Sequence, residues 1–502
     1  MTVTGGWSTL LVPLAIAMLA VVMAAAPAWW IRCARGRTRT ALLALLPAPM
    51  LMPAYLAFSG WSLARAPGTL LGDALERAGP EAMAFAGKVM AGFGLALWSW
   101  PLAAVVLLCG LAGVGRERLE ALALDGAGPL RRAGAVLRQT WWAWALAVGV
   151  VAVVHAGSAV PLHLAQFDTW ALRVWAQLNL VSPAEVWWPS GASADGRTSV
   201  GAWVVLPLAL LAGGALAVVL RSTRASEAVV TPPTLASPLA RVGVPLAAAA
   251  VWAMAVVVPA WLFWSSVHDA GSVGVFWRLA GGSVADSAGL GLLVGGLIGA
   301  LAVVVAGLAG STRRWAGMAA LTLVALCGAV AVVPGVLVGS GVRLLTEGLG
   351  ETGRAVDDAG GTLLLAHVLR FAVLGAVVGW VVALAEPADL RDLRRLDAGA
   401  GLAARLAGWW AAQRPALLPC AGAGLAAMAM SIHEIEATVM VQPPGFRSLA
   451  GRLLELLHYN RHEELSAAAS SLALTNVLLC VGCGLLLGPL LARLWGLAPE
   501  RR

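Results

Sequence analysis

The feature that most constrains this chain is a series of long apolar runs almost free of charge, the first covering residues 7–31 without one Asp, Glu, Lys or Arg. A helix crossing the roughly 30 Å hydrocarbon core of a bilayer needs about 20 such residues, because every backbone N–H and C=O must be satisfied inside the helix. Runs near that length lie at 7–31, 41–63, 89–115, 140–161, 199–220, 242–266, 287–312, 315–342, 363–385, 415–432 and 465–492, with Arg370 the only full charge inside them. They predict an all-α polytopic membrane protein of about 11 transmembrane helices. Composition closes the alternatives: 60% of residues are apolar and only 12% are charged, against roughly 25% charged in soluble chains. A disordered, collagenous, disulfide-rich or ordinary cytosolic protein is excluded, because no soluble surface can hide that much apolar side chain.

The net charge of +8 acquires meaning from its placement. With Arg32, Arg35, Arg37 and Arg39 set in the cytoplasm, alternation assigns every other loop. Cytoplasmic loops then carry 22 basic and 9 acidic residues, and outer loops 12 and 17. That opposition predicts the N-terminus outside and the C-terminus inside, and it accounts for the positive charge without a nucleic-acid partner. Ala24, Ala25 and Ala26 imitate a signal-cleavage site, but no basic residue precedes the first run, which reads as a retained helix. Tryptophans such as Trp61, Trp141, Trp264 and Trp315 fall near run ends, as interfacial anchors do.

The chain also repeats itself. His155-Ala-Gly-Ser-Ala-Val160 followed by Thr169-Trp-Ala-Leu-Arg173 matches His433-Glu-Ile-Glu-Ala-Thr438 followed by Ser448-Leu-Ala-Gly-Arg452. Both stretches are entered in the same direction, so the expected repeat is parallel, about an axis along the membrane normal. The expected division is a first half at 1–225, a cytoplasmic linker at 226–241 and a second half at 242–502.

Between the third and fourth runs, Arg116-Glu-Arg-Leu-Glu120-Ala121-Leu122-Ala-Leu-Asp125-Gly126 predicts a short amphipathic helix stopped at a glycine turn, with a basic segment after Pro129. Glu120, Ala121, Leu122 and Gly126 resemble the EAA loop of the membrane subunits of type I ABC importers. In the second half Asp392, Leu393 and Arg394 stand where Glu-Ala-Ala is expected, and Gly399 comes one residue late. More narrowly, the Pro-rich stretch Leu42–Tyr55, Ala366-His-Val-Leu-Arg370-Phe371, His433–Thr438 and Pro443-Pro-Gly-Phe446 resemble fused two-half permeases of the iron(III) and thiamine importer group. The first half lacks a leading span usual there, leaving five spans against six. The resemblance implies a multi-pass subunit of the cell inner membrane. ATP-binding subunits would dock on loops containing Glu120, Ala121, Leu122, Asp125, Gly126, Asp392, Leu393, Arg394 and Gly399, and an extracytoplasmic solute-binding protein would deliver cargo. Lys88, the only lysine, is followed by Val89, so no Walker loop is present and ATP would be hydrolysed on another chain.

Other residues have plainer alternatives beside the functional ones. Arg370 and His367 either face a protein interior or snorkel to the outer interface; Glu434 and Glu436, just past the tenth run, either line a pathway mouth or belong to a wet loop. His458 and His462 have a spacing that would put two ligands on one helix face, yet no closed metal set accompanies them. Cys480 and Cys483 sit in an apolar run among glycines and read as small residues for close helix contact, as do Gly295, Gly296, Gly299, Gly375 and Gly379. Neither a catalytic constellation nor a cofactor is indicated, and lipid is the expected surrounding. An ion-coupled secondary transporter stays open, although it would want several ionisable or unwound-helix sites near mid-membrane and the runs supply almost none. A non-transporting scaffold derived from a permease stays open too.

Overall fold

A computed structural model describes residues 3–178, 182–187, 205–222, 233, 238–269, 271–311, 313–386, 402–459 and 461–494. Among them every regular element is helical. In chain order the first set is α1 (Val3–Cys33), α2 (Gly36–Leu45), α3 (Ala54–Ser62), α4 (Leu70–Ala78), α5 (Pro80–Ala112), α6 (Arg116–Leu124), α7 (Pro129–Ala156), α8 (Val160–Leu164), α9 (Trp170–Leu178), α10 (Pro183–Trp187) and α11 (Val205–Ser222). The second is α12 (Pro238–Trp252), α13 (Val258–Ser265), α14 (Gly271–Ala309), α15 (Arg314–Val332), α16 (Gly335–Gly348), α17 (Glu351–Asp358), α18 (Gly361–Leu384), α19 (Leu402–Ile432), α20 (Glu436–Val441), α21 (Leu449–His458) and α22 (His462–Leu494). Of the expected linker only residues 233 and 238–241 are described, the latter already in α12.

Eight helices among the described residues are long and apolar enough to cross a membrane, or nine with Gly36–Leu51 and Ala54–Arg65 taken as one bent span. Val205–Arg221 and Ala416–Ile432 are apolar but shorter. The outer surface is apolar as well: Leu208, Leu211, Leu292, Leu293, Leu474 and Leu478 are all more than half exposed. Such a surface suits hydrocarbon and not water. These are the dimensions of a multi-pass membrane protein.

Two runs expected to be continuous helices are broken, and proline is the cause. The second run turns by 81° between Gly36–Leu51 and Ala54–Arg65, where Met52 is extended (ψ 140°) before Pro53. The eighth stops at Val333, extended at ψ 134° before Pro334. A proline pushes the preceding residue out of the helical region and has no N–H to continue the ladder.

Packing follows the small residues. α1 turns Ala17, Ala20, Ala24, Ala28 and Ile31 inward as one helical stripe against α5 and α7. α14 is held in the same way between α18 and α19. A Cβ added at Gly295 would lie 2.7 Å from the Gly424 carbonyl oxygen, and one at Gly379 only 2.3 Å from that of Ala302. Gly296 is different from its neighbours: a Cβ there meets nothing, so it is not a packing glycine. Cys480 and Cys483 are free, buried thiols, and Cys480 Sγ donates to the Ala44 carbonyl at 2.9 Å where α22 crosses α2.

That crossing is part of an exchange. The triad α1–α5–α7 recurs as α14–α18–α19, yet α2 packs on α22 near the end of the chain, while α15, the matching helix of the second set, packs on α11 at the end of the first. α12 also lies against α1. The two sets are therefore interlocked through their terminal helices.

Candidate functional site

The breaks at Pro53 and Pro334 leave helix-end carbonyls without backbone partners, and side chains at corresponding depths of α5 and α18 reach them. Trp98 Nε1 donates to the Met52 carbonyl at 2.7 Å. Arg370 donates from one terminal nitrogen to Val333 at 2.6 Å and to Ala331 at 3.4 Å. Each donor lies about 21 Å along its helix from the C-terminal end, at 1.5 Å per residue. The C-terminal end of α1 is tied to that same end of α5, since Arg32 donates to the carbonyls of Leu111, Ala112 and Val114. The breaks thus lie deep in the bundle, about 21 Å from the end that carries the basic loops.

At this level the two sets meet. Glu436, at the start of α20, sends Oε1 across to the turn before α8, accepting from the Ala159 N–H at 2.6 Å, the Val160 N–H at 3.2 Å and the Ser158 hydroxyl at 3.3 Å. Its Oε2 is buried with no hydrogen-bond partner. Glu434 accepts from the Ala437 N–H at 3.0 Å and lies 3.8 Å from the Arg370 Nε. Both carboxylates close on Gly335, where a Cβ would lie 2.8 Å from the Glu436 Cβ and 3.0 Å from the Glu434 Oε1. His367 bonds the Ser431 hydroxyl at 2.7 Å and the Thr438 hydroxyl at 2.9 Å, which ties α18 to α19 and α20. Tyr55, just after the first break, is buried with a hydroxyl that bonds nothing.

The expectations for these residues change accordingly. Glu434 and Glu436 do not form a wet loop; Glu436 is only 7% exposed. Arg370 and His367 do not snorkel, because each has partners inside the bundle. His458 and His462 do not share a helix face either: the first ends α21 and the second opens α22. The apparent lack of ionisable groups at depth was a property of continuous runs, and it disappears once the runs break and short helices fold back among them. Tyr55, Trp98 and the Ser158–Val160 donors were missed. A signal for the last was present, since Ser158 and Glu436 occupy matching positions of the two similar stretches.

The second feature lies at the basic end. None of the nine residues of α6 is buried. Glu120, Ala121, Asp125 and Gly126 are exposed and Leu122 is half-buried. Glu120 pairs with Arg116 one turn earlier, and Leu124 and Leu130 are 89% and 88% exposed on either side of the turn. Gly126 has φ +76° and ends the helix, with its N–H on the Ala123 carbonyl and the Ala127 N–H on that of Leu122. This is a Schellman stop, which needs the left-handed conformation that glycine takes without strain. Asp392, Leu393, Arg394 and Gly399 lie outside the described residues. Comparison of the chain with protein-family models, with curated proteins and with solved structures gives no match.

Proposed function

We propose that the chain is the membrane-spanning translocation subunit of an ATP-driven solute importer, with α6 the handle gripped by a separate ATPase and the Glu436 junction the contact that parts when the pathway opens. The observation that carries this reading is α6 itself: a nine-residue helix with no buried residue, stopped at Gly126, with a bare leucine on each side of the turn. Exposed apolar side chains beside a rigid turn are what a docking partner covers. The likeness of Glu120 to Gly126 to an EAA loop names the partner. In this reading the chain crosses a cell inner membrane eleven times, N-terminus out and C-terminus in, an outer binding protein supplies the cargo, and the division near residues 226–241 separates two cooperating halves.

A second reading has its own observation. Two helices broken by proline at matching places, with buried carboxylates beside the breaks, are also the architecture of ion-coupled transporters. One experiment separates the two. Affinity purification from the native membrane retrieves an ATPase with the wild-type chain but not with Glu120→Arg under the first reading, while proton-driven uptake into vesicles holding this chain alone is the outcome under the second.

A further inference from the structure

At the basic end of the bundle a cavity of about 500 Å³ opens between α1, α5, α6, α7 and the start of α12, with Pro233 of the linker also in its wall, within the roughly 300–1,000 Å³ typical of ligand sites. Its wall is mainly apolar, with Trp29, Leu111, Leu119, Val136 and Trp144 among the lining side chains. Two arginines reach it as well. Arg116 is neutralised by Glu120. Arg132 is different: its Nε is buried and donates to nothing. The natural complement of such a guanidinium is an anion that accepts from its terminal nitrogens. The surroundings add to this, because Arg131 is exposed beside Arg132 on α7, and Arg35 and Arg37 are exposed just past the C-terminal end of α1.

We infer that this cavity holds an anionic phospholipid, its phosphate on Arg132 and an acyl chain along the wall made by Trp29, Leu111, Leu119 and Val136. A soluble anion would leave the apolar wall idle, and a zwitterionic lipid would bring a second cation to an already basic end. The indoles of Trp29 and Trp144 in the lining suit an amphipathic ligand, since such rings settle where hydrocarbon meets headgroup. The inference depends on the membrane architecture and not on the transport reading.

The test follows thermal unfolding of the full chain in detergent by tryptophan fluorescence, with phosphatidylglycerol, phosphatidylcholine or glycerol phosphate added at matched amounts. Phosphatidylglycerol should raise Tm above phosphatidylcholine, and glycerol phosphate alone should leave it unmoved. Arg132→Gln should lose at least half of the phosphatidylglycerol-specific rise, whereas Arg118→Gln, on an exposed position of α6, should keep it. Ala133→Trp, which puts an indole into the cavity, should abolish the rise by a route independent of charge. Equal shifts with the two lipids, a full shift with glycerol phosphate, or an undiminished rise in Arg132→Gln would overturn the inference.

Discussion

Glu436 shows what one side chain does at the meeting of the two helix sets. Its Oε1 takes two backbone N–H groups and one hydroxyl from the opposite set, and without it those donors would be stranded where water does not reach. Leaving a buried donor unsatisfied costs about 1–3 kcal/mol. Glu436→Ala should therefore lower Tm in detergent clearly, while Glu436→Gln, which keeps a carbonyl oxygen for the same N–H groups, should stay close to wild type. The reverse order would mean that the contact across the sets is not made through this oxygen. Arg32 makes a similar case at the basic end, where three carbonyls of the α5 terminus and the loop after it depend on it. Arg32→Met should be the more damaging of any pair made with an exposed neighbour such as Arg35→Met. At this scale the sequence was legible only in part: it marked Arg370, Glu434 and Glu436 as unusual, but their burial depends on chain turns that apolar periodicity does not record.

Elements were more readable, because a membrane helix announces itself by length and lack of charge. The eleven expected runs fall on the eight long helices, the bent pair and the two short helices. What periodicity could not supply was continuity, since one proline among apolar residues leaves hydropathy almost unchanged while it redirects the chain. Glycines were legible as a class but not singly. Gly379 admits no Cβ within 2.3 Å of a carbonyl oxygen, and Gly296 faces open space. Gly379→Leu should cost more than the usual 1–3 kcal/mol of overpacking and reduce the yield of folded protein. Gly296→Leu should be recovered like wild type, and equal loss from both would contradict the described contact of α14 with α18. The stop after α6 separates stability from function in the same manner. Gly126→Ala strains one exposed turn by about 1–2 kcal/mol; it should leave folded yield nearly unchanged yet weaken retrieval of the ATPase, read as the ratio of the two proteins after purification.

The molecule as a whole is held by exchange. Had each set of helices closed on itself, the chain would be two bundles side by side, joined by the stretch between α11 and α12. Instead α2 is seated on α22 and α15 on α11, so each set supplies a helix to the other, and the α2–α22 contact is close enough for Cys480 to bond the Ala44 carbonyl. Lipid gives little help to such contacts, because hydrocarbon tails are as apolar as the helices and association rests on close packing of small residues. Gly484 supplies that closeness, with a would-be Cβ 2.2 Å from the Ala44 Cα. A chain cut in the linker at residue 228 and produced as two co-expressed pieces should therefore stay together, with a tag on the first piece retrieving the second through detergent and gel filtration. Gly484→Phe, which drives a ring into α2, should reduce that retrieval several-fold while each piece is still made. If the pieces elute separately in their unmodified form, the exchanged helices do not hold the two sets together, and the junction at Glu436 would lose the frame that brings its partners within hydrogen-bonding reach.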